Sequence, residues 1–200
     1  MRTKFKVAVA LLTVSLLIGC AVIPEVETAY DPAITTFKIY RTFNWYPTEV
    51  PPPPAEAGSL PYSSLLDLRI REAIASELVK QGLNPTTRDP GLLIAYDIAV
   101  DTAQLPVSGF TLPPGFGYGY SHWYGYRFNY GLANLPAIRN INEYPVGTLV
   151  IDIIDESTRQ LIWRGWSYTD LDLTLSEPRK INRIVANIMS RFPPTPELTR

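Results

Sequence analysis

The sequence predicts an α+β fold, a two-layer sandwich in which two main helices pack on one face of a mostly antiparallel β-sheet. Three observations carry that expectation. Residues 64–81 and 177–192 each place apolar side chains on a single stripe at helical spacing. Residues 91–100 alternate with the period of a strand. Residues 148–155 and 159–168 are two β-rich runs separated by a few polar residues, the pattern of a hairpin. Helices with one apolar stripe and strands with one apolar face bury both by stacking as two layers.

The elements follow in chain order. Residues 20–29 are expected to be a lipid-bearing N-terminus and tether, and residues 30–192 a single domain. Phe37 to Tyr46 include the extended aromatic stretch Thr42-Phe43-Asn44-Trp45-Tyr46. Residues 47–61 hold six prolines, among them the block Pro51 to Pro54. Such a run favours polyproline II, excludes a central strand and makes a stiff surface loop. In the first helix Ser64 is a candidate cap, with Asp67 completing a capping box. Leu66, Ile70, Ala73, Ile74 and Leu78 form its apolar stripe, Gly82 ends it, and Arg69, Arg71, Glu72, Glu77 and Lys80 supply much of the wet side. In the strand 91–100, Leu92, Ile94, Tyr96, Ile98 and Val100 point one way. Leu93, Ala95, Asp97 and Ala99 point the other, toward what is expected to be the more exposed face.

The hairpin places Leu149, Ile151 and Ile153 on one face with Asp152 opposite, and puts Leu161 and Trp163 together against Ile162, Arg164 and Trp166. Asp152 and Arg164 are within reach of each other across the strands, a pairing that contributes about 0.2–1 kcal/mol. Trp163 has inward parity. Ser176 is a candidate cap for the second helix, Pro178 fits its first turn, and Ile181, Ile184, Val185, Ile188 and Phe192 form its stripe. Pro193-Pro194 close it, leaving 193–200 as a tail.

The N-terminus carries an address. Arg2, Lys4 and Lys6 precede an apolar run from Val7 to Ile18 broken only by Thr13 and Ser15, and Leu17-Ile18-Gly19-Cys20 follows. Residues 1–19 thus have the three zones of a signal peptide, and the run is shorter than the roughly 20 residues of a spanning helix. Cys20 is the only cysteine in the chain, so no internal disulfide exists. Leu17, Gly19 and Cys20 resemble the bacterial lipobox, which implies a diacylglycerol thioether on Cys20. Several acyl chains anchor firmly, since each buried methylene contributes about 0.8 kcal/mol. Ala21, being other than Asp, fits the enterobacterial pattern for outer-membrane sorting. The expected location is the outer membrane, facing the periplasm.

Removal of residues 1–19 leaves 15 basic residues against 19 acidic ones, a net charge of −4. That balance disfavours nucleic acid, whose nonspecific binding depends on neutralised phosphates. The expected partners are the membrane, through the lipid, and an envelope protein or glycan.

Residues 109–131 contain six glycines and nine aromatic residues. The glycine spacing lacks the strand, helix and Lys-Ser/Thr context of a phosphate loop. Tyr118, Tyr120, Trp123, Tyr124 and Tyr126 are the candidate contact residues, since aromatic rings stack on sugars or seat against a partner. The plainer reading is an insertion folded back on the sheet edge. His122 is the only histidine. With Cys20 committed to lipid, no His/Cys metal cluster is available, and neither metal nor cofactor is expected. No G-x-S-x-G or H-E-x-x-H occurs. Asp152 and Asp155 fall on opposite strand faces, and Asp170 with Asp172 is too small a set to define a Ca²⁺ site. The expected function is therefore a non-catalytic envelope accessory or binding protein. Two alternatives stay open: a hydrolase of peptidoglycan or another envelope polymer using His122, and a purely structural lipoprotein.

The segments Gly147–Asp155 and Gln160–Trp166, with Tyr30-Asp31-Pro32, Tyr40–Trp45 and Gly91–Tyr96, resemble the domain-of-unknown-function family numbered 4136. The resemblance spans roughly residues 25–192. It implies a bacterial lipoprotein and supplies no catalytic residues.

Overall fold

The computed structural model describes residues 25–34, 36–47, 64–99, 120–121, 125–126, 144–169 and 177–194. The elements are β1 (Val26–Tyr30), a 3₁₀ turn (Phe37–Ile39), β2 (Thr42–Trp45), α1 (Ser64–Lys80), β3 (Asn84–Pro85), β4 (Leu92–Ile98), β5 (Tyr120–Ser121), β6 (Gly125–Tyr126), β7 (Thr148–Asp155), β8 (Leu161–Tyr168) and α2 (Pro178–Met189). Six strands form one sheet in the order β1-β8-β7-β4-β2-β3. The β1–β8, β8–β7 and β7–β4 pairs are antiparallel, whereas β2 runs parallel to both β4 and β3. The sheet is therefore mixed. Parallel neighbours require a crossover, and α1 supplies it between β2 and the β3–β4 segment.

Both helices bury their stripes in one core. Leu66, Ile70, Ile74 and Leu78 from α1 and Ile181, Val185, Ile188 and Met189 from α2 meet the inward side chains of β4, β7 and β8. The register builds that inner surface row by row. Ile94 lies opposite Ile153, Tyr96 opposite Ile151 and Ile98 opposite Leu149. Gly82 ends α1 at φ +89°. The Leu83 amide donates to the Leu78 carbonyl at 3.1 Å and the Gly82 amide to Val79 at 3.0 Å, a Schellman closure.

Several expectations are corrected. Val26 to Ala29, assigned to the tether 20–29, form with Tyr30 the edge strand β1, whose backbone pairs along β8 from Ser167 to Trp163. Ser64 is the first residue of α1, not the residue before it. Asp67 makes a bond that the capping box does not foresee, accepting from the Tyr96 hydroxyl. Glu177 is the N-cap of α2 and makes no side-chain cap bond, while Ser176 lies outside the described residues. That helix ends at Met189, ahead of the prolines.

Leu161 and Trp163 do not share a face. The register shifts between Ile153 and Ile154, so that Trp163 pairs with Ile153 and Leu161 with Ile154, leaving Ile162 as the extra residue of a bulge. Ile162 and Trp163 join the helix-side core, and Leu161 joins a cluster on the far face. Trp163 is fully buried, as its parity implies, with Phe192 edge-on at 5.3 Å between ring centres.

The far face of β4 is also buried, contrary to expectation. Tyr46, Leu93, Ala95, Ile154 and Leu161 form one apolar cluster there, and Ala99, Tyr144 and Val150 with Trp166 form another. In the rows between them Asp152 faces Arg164 directly. Arg164 Nε donates to Asp152 Oδ1 at 2.5 Å and its Nη2 to Oδ2, a two-point pair with Arg164 0% exposed. A pair this deep is energetically unlike the surface pairing that the spacing alone implies.

Candidate functional site

An open groove lies where α1 crosses the end of β2. Trp45 stands opposite Ile94 in the parallel β2–β4 register, so its side chain points to the helix layer. From α1, Asp67 and Arg71 project one turn apart toward it. The Arg71 guanidinium sits over the Trp45 ring, 4.5 Å from its centre, a cation–π contact. Its Nη1 lies 3.9 Å from Asp67 Oδ2, and Asp67 also accepts from Tyr96. Leu65, Leu68 and Ala75 form the apolar wall of an open groove of about 720 Å³, with Glu72 at its rim. Leu65 and Leu68 are 52% and 51% exposed. Exposed leucines beside an indole and a fixed ion pair can seat an apolar group and orient it by charge. Its carboxylates are Asp67, engaged by Arg71 and Tyr96, and Glu72.

A second polar cluster ties the β7–β8 turn to the start of β2. Tyr40 Oη donates to Asp155 Oδ2 at 2.6 Å. Ser157 Oγ at 2.6 Å, the Thr158 amide at 2.9 Å and Thr158 Oγ1 at 3.2 Å donate to Asp155 Oδ1. Burial by itself raises the Asp155 carboxyl, but the bonds from Ser157, Tyr40 and Thr158 outweigh it and hold the pKa below its ordinary value. Burial, then the bond to Asp155 and the nearby carboxylate charges, push the Tyr40 phenol up. A carboxylate surrounded by donors is a poor base, so this cluster is a structural pin for the turn.

The residues singled out from the sequence are placed unevenly. Cys20, Tyr118, His122, Trp123, Tyr124, Asp170 and Asp172 lie outside the described residues. Within 109–131 the backbones of Tyr120 and Tyr126 pair in a small hairpin, β5–β6. Asp152 and Asp155 do lie on opposite faces, one bonded to Arg164 and the other to Tyr40. Among the described residues no group of three metal-binding side chains occurs, and no helix is long and apolar enough to cross a membrane. The Trp45 groove was missed. Its signal was a second set of apolar residues on α1, Leu65, Leu68, Ala75 and Val79, on the side taken as wet.

The profile of the family DUF4136, described as a domain of unknown function, matches residues 26–194. No curated protein matches. Among solved structures, a DUF4136 family protein from Bacteroides thetaiotaomicron is 16% identical with a TM-score of 0.48, over 84% of this chain and 92% of that one. A PDZ domain protein from Parabacteroides distasonis is 19% identical with a TM-score of 0.47. The match covers 85% of this chain and spans only 35% of that protein. The PelC dodecamer from Paraburkholderia phytofirmans is 9% identical with a TM-score of 0.39, over 84% and 96% of the two chains.

Proposed function

The chain belongs to the DUF4136 family, and on that premise we propose that it is a lipid-anchored envelope protein that works by binding rather than by catalysis. The observation that carries this reading is the groove beside Trp45. Two half-exposed leucines flank an indole whose face is held by Arg71. Paired exposed leucines beside an aromatic ring fit a contact surface. The anchor is Cys20, and the location is the outer membrane facing the periplasm, as the lipobox resemblance and Ala21 imply. The tyrosines and tryptophan of 109–131 are a second contact on the same logic, directed at an envelope protein or glycan.

Two measurements test this. Mass spectrometry of the mature N-terminus should find a diacylglyceryl group on Cys20, and an unmodified N-terminus elsewhere would remove the anchor from the proposal. In-cell crosslinking should give specific products that weaken on Leu68→Lys, at the groove, or on deletion of 109–131. If both variants fold and every specific product persists in each, the binding reading is wrong.

A further inference from the structure

Building on the reading of the Trp45 groove as a contact surface, we propose that its occupant is α1 of a second copy of this chain, lying antiparallel to the first. The helix carries two apolar stripes where a helix covering one sheet needs one. Leu66, Ile70, Ile74 and Leu78 go to the core. Leu65, Leu68 and Val79 do not, and are 52%, 51% and 50% exposed, while Ala75 between them is partly buried against the edge of the core. These four, with Glu72 in the gap, follow the alternating three- and four-residue steps of a seam that meets another helix.

The composition of the stripe selects the direction. Its large residues, Leu65 and Leu68, lie in the N-terminal half, and its smaller ones, Ala75 and Val79, in the C-terminal half. An antiparallel pair sets Leu68 against Ala75 and Leu65 against Val79. A parallel pair stacks leucine on leucine and leaves alanine facing alanine. Charge selects the same way. Leaving aside Glu72 at the middle of the helix, the first half carries Arg69 and Arg71 against Asp67, a net positive charge, and the second carries Glu77 against Lys80, which balance. Antiparallel packing keeps the two net-positive halves apart and opposes the helix dipoles. It also puts Glu72, beside the two-fold axis, within one turn of Arg69 of the second copy, which offsets the approach of the two Glu72 carboxylates.

The seam is short. A helix of 17 residues is about 25 Å long, and such a contact falls below the roughly 1,200 Å² of a stable complex. The pair is therefore transient in dilute solution and gains from any tether that raises the local concentration of copies.

The test uses the full-length chain in its membrane. The unsubstituted chain, whose only cysteine is Cys20, sets the background. Under mild oxidation Glu72→Cys should give a disulfide-linked dimer. Lys80→Cys should stay at background, because an axis near position 72 separates the two 80 positions by about 24 Å. Adding Leu68→Lys, at an exposed position, should cut the Glu72→Cys dimer at least tenfold. Dimers from both cysteine variants indicate a parallel or unspecific pair and overturn the proposal, as does a Glu72→Cys dimer that Leu68→Lys leaves unchanged. A parallel sample of Glu72→Cys treated with a cysteine-to-amine crosslinker separates this inference from the reading beneath it. Capture of a different protein without any dimer overturns the second copy and leaves the groove as a contact. Absence of both products removes the groove as well.

Discussion

Gly165 is a place where a single methyl group should be felt through the whole core. It lies opposite Ile151 on the helix-facing side of β8, and its φ is not in the left-handed region, so alanine meets no backbone strain there. The obstacle is space. A Cβ at this position would stand 2.3 Å from Trp163 Cη2 and 2.8 Å from both Trp163 Cζ2 and Ile188 Cγ2. Ordinary contact begins near 3.4 Å, so the indole must retreat by about 1 Å from a site where it is fully buried between Phe192 and α2. Overpacking of this kind costs about 1–3 kcal/mol. Trp163→Phe alone leaves a gap where the benzo ring was, at a cost of about 1–3 kcal/mol, below the 3–5 of a full truncation to alanine. Part is recovered because the indole Nε1 is buried without a hydrogen-bond partner among the described residues, and phenylalanine has no such group. In the double variant the new methyl enters the space the indole vacated. The two costs should therefore fall short of additivity by at least about 1 kcal/mol, within the range found for residues in contact. Urea unfolding followed by far-UV circular dichroism measures all four proteins without depending on tryptophan emission. Strict additivity, or a Gly165→Ala cost under about 0.5 kcal/mol, would show that the ring and the strand are not packed as described.

Other perturbations reach the remaining parts of the molecule. Asp152→Asn or Arg164→Met should each cost about 3–5 kcal/mol in urea unfolding, because each removes one side of a buried two-point pair, while Asp152→Leu with Arg164→Met should cost less than the sum of the two. Single costs below about 1 kcal/mol would mean that water reaches the pair. The Asp155 carboxyl titrates below its ordinary 3.8 in the folded chain. Its bonds thus contribute fully above that ordinary, unfolded value and are lost as pH falls through the folded one. Asp155→Asn should flatten the fall in Tm on the acid side of pH 5, and an unchanged profile would refute the assignment. The raised Tyr40 phenol acts at the other end, its contribution declining as pH climbs past the unfolded value of about 10. Tyr40→Phe should flatten the alkaline limb of the same Tm profile. Cys20→Ala should release the protein from the membrane fraction, and unchanged sedimentation with membranes would dismiss the lipid anchor.

The fold was legible wherever one physical signal dominated. Gly82 stopped α1 because a left-handed residue was needed there, and the apolar stripe of α1 fell on its core side. The inner rows of β4 and β7 followed from simple alternation. Alternation failed in β8, where one extra residue at Ile162 reversed the parity of everything before it. A bulge has no hydrophobic signature when the residues on both sides of it are apolar, and Leu161, Ile162 and Trp163 are all apolar. The parallel pairing of β2 with β4 was available from the order strand, helix, strand, but the stronger hairpin signal drew the expectation toward an antiparallel sheet. The far face departs from expectation because Asp97 and the small residues beside it suggested exposure, and the Asp152–Arg164 pair was weighed only as a surface pair. Charge marks exposure only while it is unpaired, and Arg164, twelve positions on from Asp152, makes that pair a buried one.

The groove was harder to read because nothing on it is chemically rare. Leu65, Leu68, Ala75 and Val79 are ordinary helix residues, and Arg71 among them counted as one more surface charge. Their meaning depends on which face of α1 the sheet takes, and that is fixed by the stronger stripe of Leu66, Ile70, Ile74 and Leu78. Once that stripe is assigned inward, the remaining apolar residues are left in a second row, and Trp45, from a strand far away in sequence, completes their wall. Burying the half-exposed area of each leucine would contribute on the order of 1–2 kcal/mol at about 25 cal/mol per Å². Leaving it open forgoes that gain at two adjacent positions where a Lys or Glu would suit the surface better. Leu68→Lys should therefore leave the stability of the isolated domain within about 0.5 kcal/mol, since the side chain supports no described core contact. A larger loss in dilute, monomeric protein would show that Leu68 serves the fold itself, and the contact role assigned to the groove would lose its main support.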